Sequence, residues 1–143
     1  MEKDFRIGQS NELIKGSVLY DLHNLYDFSG CLLKSDRSFY LFFAPNPSHG
    51  AGHCPVAVEF LDVNFLGFSP NFGAGGLQDL EEMGYKSPSD LDDSWLLRVE
   101  QAATPDHLFF RFTGNAYIRI HSTLARIREG LTLPKTTDET AMS

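Results

Sequence analysis

The stretch His107-Leu-Phe-Phe-Arg-Phe112, with Thr113-Gly-Asn-Ala116 and Tyr117-Ile-Arg-Ile-His121 after it, decides the fold. Apolar and polar residues alternate on both sides of a Thr-Gly-Asn-Ala break. Gly and Asn together supply the positive backbone angles that a tight turn between antiparallel strands needs. Two registers compete. A two-residue Gly114-Asn115 loop sets Phe110 against Arg119. A longer loop sets Phe112 and Phe110 against Ile118 and Ile120, and matching of apolar faces favours it, because a one-residue slip turns every side chain to the other face. In the longer-loop register His107, Phe109 and Arg111 share a face with Tyr117, Arg119 and His121.

The same patterns extend outward from this hairpin. Residues 39–44 are apolar on both faces, which predicts an inner strand, and Ser35-Asp-Arg-Ser38 joins them to Cys31-Leu-Leu-Lys34 as a second hairpin. Residues 18–28 carry Val18, Tyr20, Leu22, Tyr26 and Phe28 on one face, predicting a half-buried strand that Ser29 and Gly30 break. Residues 56–69 form the longest strand candidate. Val56, Val58 and Phe60 keep one phase that Val63, Phe65 and Phe68 do not, so a β-bulge is expected near Asp62. Trp95, Leu97 and Val99 alternate as a further strand. Residues 77–83 read as a short helix closed by Gly84. Residues 122–129 read as another, capped by Ser122, with Leu124 and Ile127 inward and Gly130 at its end. The predicted class is therefore α+β: a mainly antiparallel sheet, curved or sandwich-like, with two short helices.

The 143 residues suit a single domain spanning 1–143, with a loose lead-in over 1–16 and a flexible tail over 131–143. Twelve phenylalanines favour strands and fill volume on pleated faces. The formal net charge is −7 and no Lys/Arg-rich run occurs, which argues against a nucleic-acid partner and fits a partner that is a basic protein. No apolar leader is visible, and no apolar run approaches the ~20 residues of a spanning helix, so the expectation is a soluble, cytoplasmic protein outside the membrane. In that setting Cys31 and Cys54 are reduced thiols.

Three stretches bear on chemistry. His49, His53 and Cys54 lie within six positions of a Gly/Pro loop and are candidate zinc ligands, completed by His107 or His121. His53-Cys54 also begins the His-Cys-five-residues-Arg pattern of the protein tyrosine phosphatases, but Phe60 stands where the phosphate-binding arginine belongs. Gly73-Ala74-Gly75-Gly76 lacks a third dinucleotide glycine, Gln78 taking that place, and the acidic run at 89–93 lacks the internal glycine of a calcium loop. His107, Arg111, Arg119 and His121 form a candidate anion site, since guanidinium groups grip carboxylates and phosphates bidentately.

With no catalytic signature complete, the leading expectation is a non-enzymatic binding or protein-interaction module with a basic protein partner. The alternatives are a metal-dependent enzyme or small-ligand-binding protein using the His49/His53/Cys54 loop with zinc, and a structural subunit of a homo-oligomer that buries a Phe-rich strand edge.

Overall fold

The chain turns back on itself wherever a polar or glycine-bearing turn interrupts an apolar alternation, and almost every pairing that results is antiparallel. The computed structural model describes residues 1–73, 79–90, 95–134 and 140–142. In chain order its strands are β1 (Glu2–Lys3), β2 (Arg6–Ile7), β3 (Leu13–Lys15), β4 (Val18–Tyr20), β5 (Tyr26–Leu33), β6 (Phe39–Pro45), β7 (Val56–Phe68), β8 (Leu80–Lys86), β9 (His107–Phe112), β10 (Tyr117–Glu129) and β11 (Thr140–Met142). Seven of them run β11-β5-β6-β7-β10-β9-β8 across one curled sheet, a half-barrel, and β1 joins it parallel to the second half of β10. Strands β2, β3 and β4 make a small separate antiparallel sheet. Its Phe5, Ile7, Leu13, Tyr20 and Leu22 belong to the same buried cluster as the concave face of the large sheet. The small sheet thus plugs the open side of the half-barrel.

The two expected helices are absent, and the fold is not α+β. Among the described residues the helical turns are the short 3-10 turns Val99–Gln101 and Thr113–Asn115. Residues 122–129 are the second half of β10, paired with β7 from Ser122 opposite Val63 to Glu129 opposite Val56. The inward set on β10 runs Ile118, Ile120 and Ser122, then Ala125 and Ile127. Leu124 falls on the opposite face from Ile127, and the three-residue spacing of these two apolar residues imitates an amphipathic helix. Residues 80–83 belong to β8, with Leu80, Met83 and Tyr85 inward; residues 77 and 78 lie outside the described residues. Gly84 is no helix cap. It lies opposite Phe109, and a Cβ there would stand 2.6 Å from the Leu96 Cβ, so the glycine lets another segment cross the strand closely.

The strand expected over residues 18–28 is divided between the sheets. The Asp21 carboxylate accepts from the Asn24 backbone N–H at 3.2 Å, and the Leu25 N–H donates to the Asp21 carbonyl at 2.9 Å. This Asx-type turn redirects the chain from β4 to β5. Gly30 does not end β5 but sits at a register shift within it, at φ 143°. Trp95, Leu97 and Val99 do not form a ladder; Leu97 makes a lone bridge to Tyr85.

The expectations for residues 35–45 and for the bulge near Asp62 hold, and that for the last hairpin holds in part. The turn at 35–38 joins β5 to β6, and β6 is an inner strand between β5 and β7. A register shift falls in β7 beside Asp62, whose φ is 56°. Arg37 and Thr123 both hold the Asp62 carboxylate, and the Val63 N–H donates to the Arg37 carbonyl at 3.0 Å. The last hairpin has a three-residue loop. Phe110 faces Ile118 and Leu108 faces Ile120, so apolar faces meet as expected but with each partner displaced by two. The residues expected as a lead-in carry β1 to β3, and Thr140–Met142 pairs with β5.

The convex face is covered in two places. Leu131 and Leu133 pack on Leu32, Tyr40, Phe42 and Ala57. Beside them Glu59 is buried. Burial alone would raise its carboxyl, but the Tyr40 hydroxyl at 2.7 Å and the Arg126 and Arg128 guanidinium groups outweigh that and hold it below the usual carboxylate range.

On the concave side Phe110 is fully buried and meets Phe60 edge-to-face at 6.2 Å between ring centroids. Truncation of Phe110 to alanine removes a large side chain from a closed core and is expected to cost about 3–5 kcal/mol, read as a lowered urea midpoint with an unchanged slope.

Candidate functional site

Strand β8 lies at one end of the large sheet, so among the described residues one side of it has no full strand partner. An exposed strand edge presents backbone donors and acceptors to any extended chain that approaches. Two local partners occupy part of this edge. Tyr85 exchanges backbone hydrogen bonds with Leu97 at 3.0 and 2.8 Å, and the Met83 N–H donates to the Asn11 side-chain carbonyl at 3.0 Å. Asn11 reaches it from a turn of positive φ (60°) between β2 and β3.

Beside this edge is a cleft of about 570 Å³, bounded by the β2–β3 turn, β8 and residues 95–100. Ile7, Met83, Leu96 and Leu97 supply apolar lining, with Trp95 half exposed at its side. Glu82, Arg98 and Glu100 supply its charges. Glu82 also accepts from the Arg111 Nε at 3.1 Å.

The wall formed by residues 95–98 is tied to the convex face of the sheet. Lys86 on β8, His107 on β9, His121 on β10 and Phe65 on β7 follow one another across four strands. Arg119, in the next row, is 8% exposed, and its contacts are mostly neutral: Nε donates to His107 Nδ1 at 2.9 Å, Nη1 to the Asp90 carbonyl at 2.6 Å and Nη2 to the Ser87 carbonyl at 2.7 Å. Because a guanidinium only donates, His107 Nδ1 must be the bare acceptor, and the neutral ring carries its proton on Nε2. Phe65 stacks on His107 at 4.4 Å. Burial first, then the Arg119 charge and His121, depress the His107 pKa to about 4. His121 lies 5.8 Å from His107 between centroids, with Nδ1 on Asn64 Oδ1 at 2.7 Å and its buried Nε2 without a partner among the described residues. Lys86 is fully buried, with Nζ 3.4 Å from the Asp90 carboxylate and 4.5 Å above the Trp95 ring.

Of the four candidate anion-binding residues, the structure brings His107, Arg119 and His121 together and sets Arg111 apart, on Glu82. Three of the five Arg119 N–H groups already hold protein acceptors. The candidate zinc residues are not gathered: His49, His53 and Cys54 are exposed on their loop, and His107 and His121 are on the convex face of the sheet. Among the described residues no three His, Cys, Asp or Glu side chains lie close enough to share a metal ion. Tyr26 donates to the Cys54 carbonyl at 3.0 Å and lies 6.2 Å from the His53 ring, so this loop is anchored through its backbone. Cys31 is buried, and burial pushes its thiol up to about 12, which makes it unreactive. The glycine run beyond Gly73 and residues 91–93 of the acidic run lie outside the described residues. No helix among the described residues is long and apolar enough to cross a membrane.

The chain matches no protein-family model, no curated protein and no solved structure. The cleft is therefore read from its own residues. Sequence reasoning missed it because its walls come from three separated segments. Trp95, half exposed in a polar stretch, was the one local signal.

A depressed histidine pKa means that the folded protein takes up its proton later than the unfolded chain. The stability that follows is complete above about pH 6.5, the ordinary histidine value, and is lost as the pH falls toward about 4. By NMR, the His107 ring is expected to titrate near pH 4. A midpoint at the ordinary value of about 6.5 would contradict the buried Arg119–His107 contact.

Proposed function

We propose that the chain is a non-enzymatic binding module whose cleft along β8 receives an extended, positively charged segment of a protein partner. The cleft carries this reading. Its volume of about 570 Å³ falls within the roughly 300–1,000 Å³ of ligand-binding sites. It lies against a sheet edge, where extended chains add by backbone hydrogen bonds and by side-chain pockets at alternate positions, with Tyr85 and the Met83 N–H already held by Leu97 and Asn11. Ile7, Met83, Leu96 and Leu97 offer apolar contact, and Glu100 offers a counter-charge to lysine or arginine, while Arg98 also lines the cleft and Glu82 is paired with Arg111. The formal net charge of −7 adds long-range attraction for a basic partner. Among the described residues that line the cleft none pairs a nucleophile with a base, which is why a binding role is favoured over catalysis.

Trp95 is the one tryptophan of the chain and lines the cleft, so its emission reports directly on occupancy. Titration with a hexapeptide of alternating lysine and valine is expected to change that emission saturably, and added salt is expected to weaken the binding. Glu100→Lys is expected to lower the affinity about fivefold, the size of one rim charge contact of about 1 kcal/mol. An equal response to a glutamate–valine peptide, or no saturable response to either, contradicts the proposal.

A further inference from the structure

We propose that Arg119 and His107 form a latch that holds the outer wall of the cleft in place, and that protonation of His107 releases it. Both residues lie outside the cleft, and neither is needed to touch its occupant. They are positioning residues, and their influence passes through a continuous series of contacts. His107 Nδ1 accepts from Arg119 Nε and fixes the plane of the guanidinium. That plane carries the Asp90 and Ser87 carbonyls on Nη1 and Nη2. The Asp90 carboxylate holds the Lys86 ammonium, and the ammonium sits over the ring of Trp95, in the cleft wall. Wall and sheet are also in close contact at Gly84, under Leu96.

The latch has a definite chemical weak point. An imidazolium at His107 carries N–H groups on both nitrogens, so Nδ1 can no longer accept from Arg119 and the two cations face each other. A buried guanidinium that loses an acceptor and gains a like-charged neighbour is strongly destabilised where it stands. Turning away from His107 gives up the geometry that grips Ser87 and Asp90.

The groups around His107 set where this happens. Arg119 on β10 and any charge on His121 oppose its protonation, and Lys86, opposite His107 on β8, is paired with Asp90. Asp106, which precedes β9, favours it, while Asp90, from the 87–90 turn, is engaged with Lys86. Phe65 and Asn64 of β7 do not titrate, and the stacked Phe65 ring keeps water from one face of the imidazole. Burial adds to the excess of positive neighbours, and release belongs to acid conditions, near pH 4.

The effect of the latch on binding rests on the cleft reading, but the latch can be tested with no ligand present. Trp95 emission and acrylamide quenching would be followed from about pH 7 to about pH 4 in the wild type, His107→Gln and Arg119→Lys. Far-UV circular dichroism would mark the range in which each remains folded. Glutamine keeps an acceptor for Arg119 Nε and cannot ionise. The expected result is a red shift and stronger quenching in the acidified, folded wild type. His107→Gln should show neither, and folded Arg119→Lys should already match the acid wild type near neutral pH. The proposal is overturned if the folded wild type shows no acid change, if His107→Gln keeps that change, or if folded Arg119→Lys matches the neutral wild type. Should Arg119→Lys fail to fold, the comparison of wild type with His107→Gln decides alone. A failed peptide titration leaves this result intact, and a failed latch leaves the peptide titration intact.

Discussion

The pairing of β10 with β7 is the constraint on which the rest of the structure depends. It runs from Ile118 opposite Phe68 to Glu129 opposite Val56, the length of both strands. On its other side β10 carries β9 along its first half and β1 along its second. A flat ribbon of this length would not enclose a core. The irregularity at Asp62 to Asn64 bends it, and bulges add local twist. The positive φ of Asp62 costs backbone energy for a residue other than glycine. Arg37, which reaches over from the β5–β6 turn, and Thr123 of β10 hold that carboxylate in place. The bend brings Val58, Phe60 and Val63 into one concave face with Ile118, Ile120 and Ala125, and the small N-terminal sheet closes it.

Much of this was legible in the sequence wherever one alternation ran between two clear turns. The hairpin around Thr113–Asn115 and the bulge near Asp62 follow from period-two patterning, and the inner strand Phe39–Pro45 from a run that is apolar on both faces. The misreadings share a physical cause. Over residues 122–129 two apolar residues on opposite faces of the strand, Leu124 and Ile127, stand at helical spacing, and pairing with β7 overrode that local pattern. In β8 Leu80 and Met83 both face inward at a spacing of three because a register shift falls between Leu80 and Glu82. At residues 18–28 the alternation continued through a turn that Asp21 builds with its own carboxylate. Local patterns carry no record of which distant strand will pair with a segment, and here that pairing decided the outcome.

The candidate site was less legible, for a related reason. The residues that sequence reasoning grouped by proximity, His49, His53 and Cys54, are exposed side chains of a loop tied down by its backbone. Those grouped by strand face, His107, Arg119 and His121, do meet, because a two-residue displacement of the register keeps every side chain on its own face. Even so, the chemistry of the group is altered by what covers it. A pair of arginines and histidines on an open face would attract an anion. Under Phe65 and the 87–90 turn, Arg119 instead spends its donors on backbone carbonyls. Asn11, Met83 and Leu96 come from segments far apart in sequence, and nothing local marks them as neighbours along one cleft.

The account stands or falls on β10 being one continuous strand through residues 122–129. Solution NMR of the isotope-labelled protein tests this most directly, through nuclear Overhauser contacts and amide exchange across that segment. The account predicts cross-strand contacts from Ala125 and Ile127 to Phe60 and Val58, strong sequential contacts from each α proton to the next amide, and slow exchange continuous with that of Ile118 and Ile120. Contacts between successive amides, with α protons reaching amides three residues on, would establish a helix there and contradict the fold and the cleft built on it.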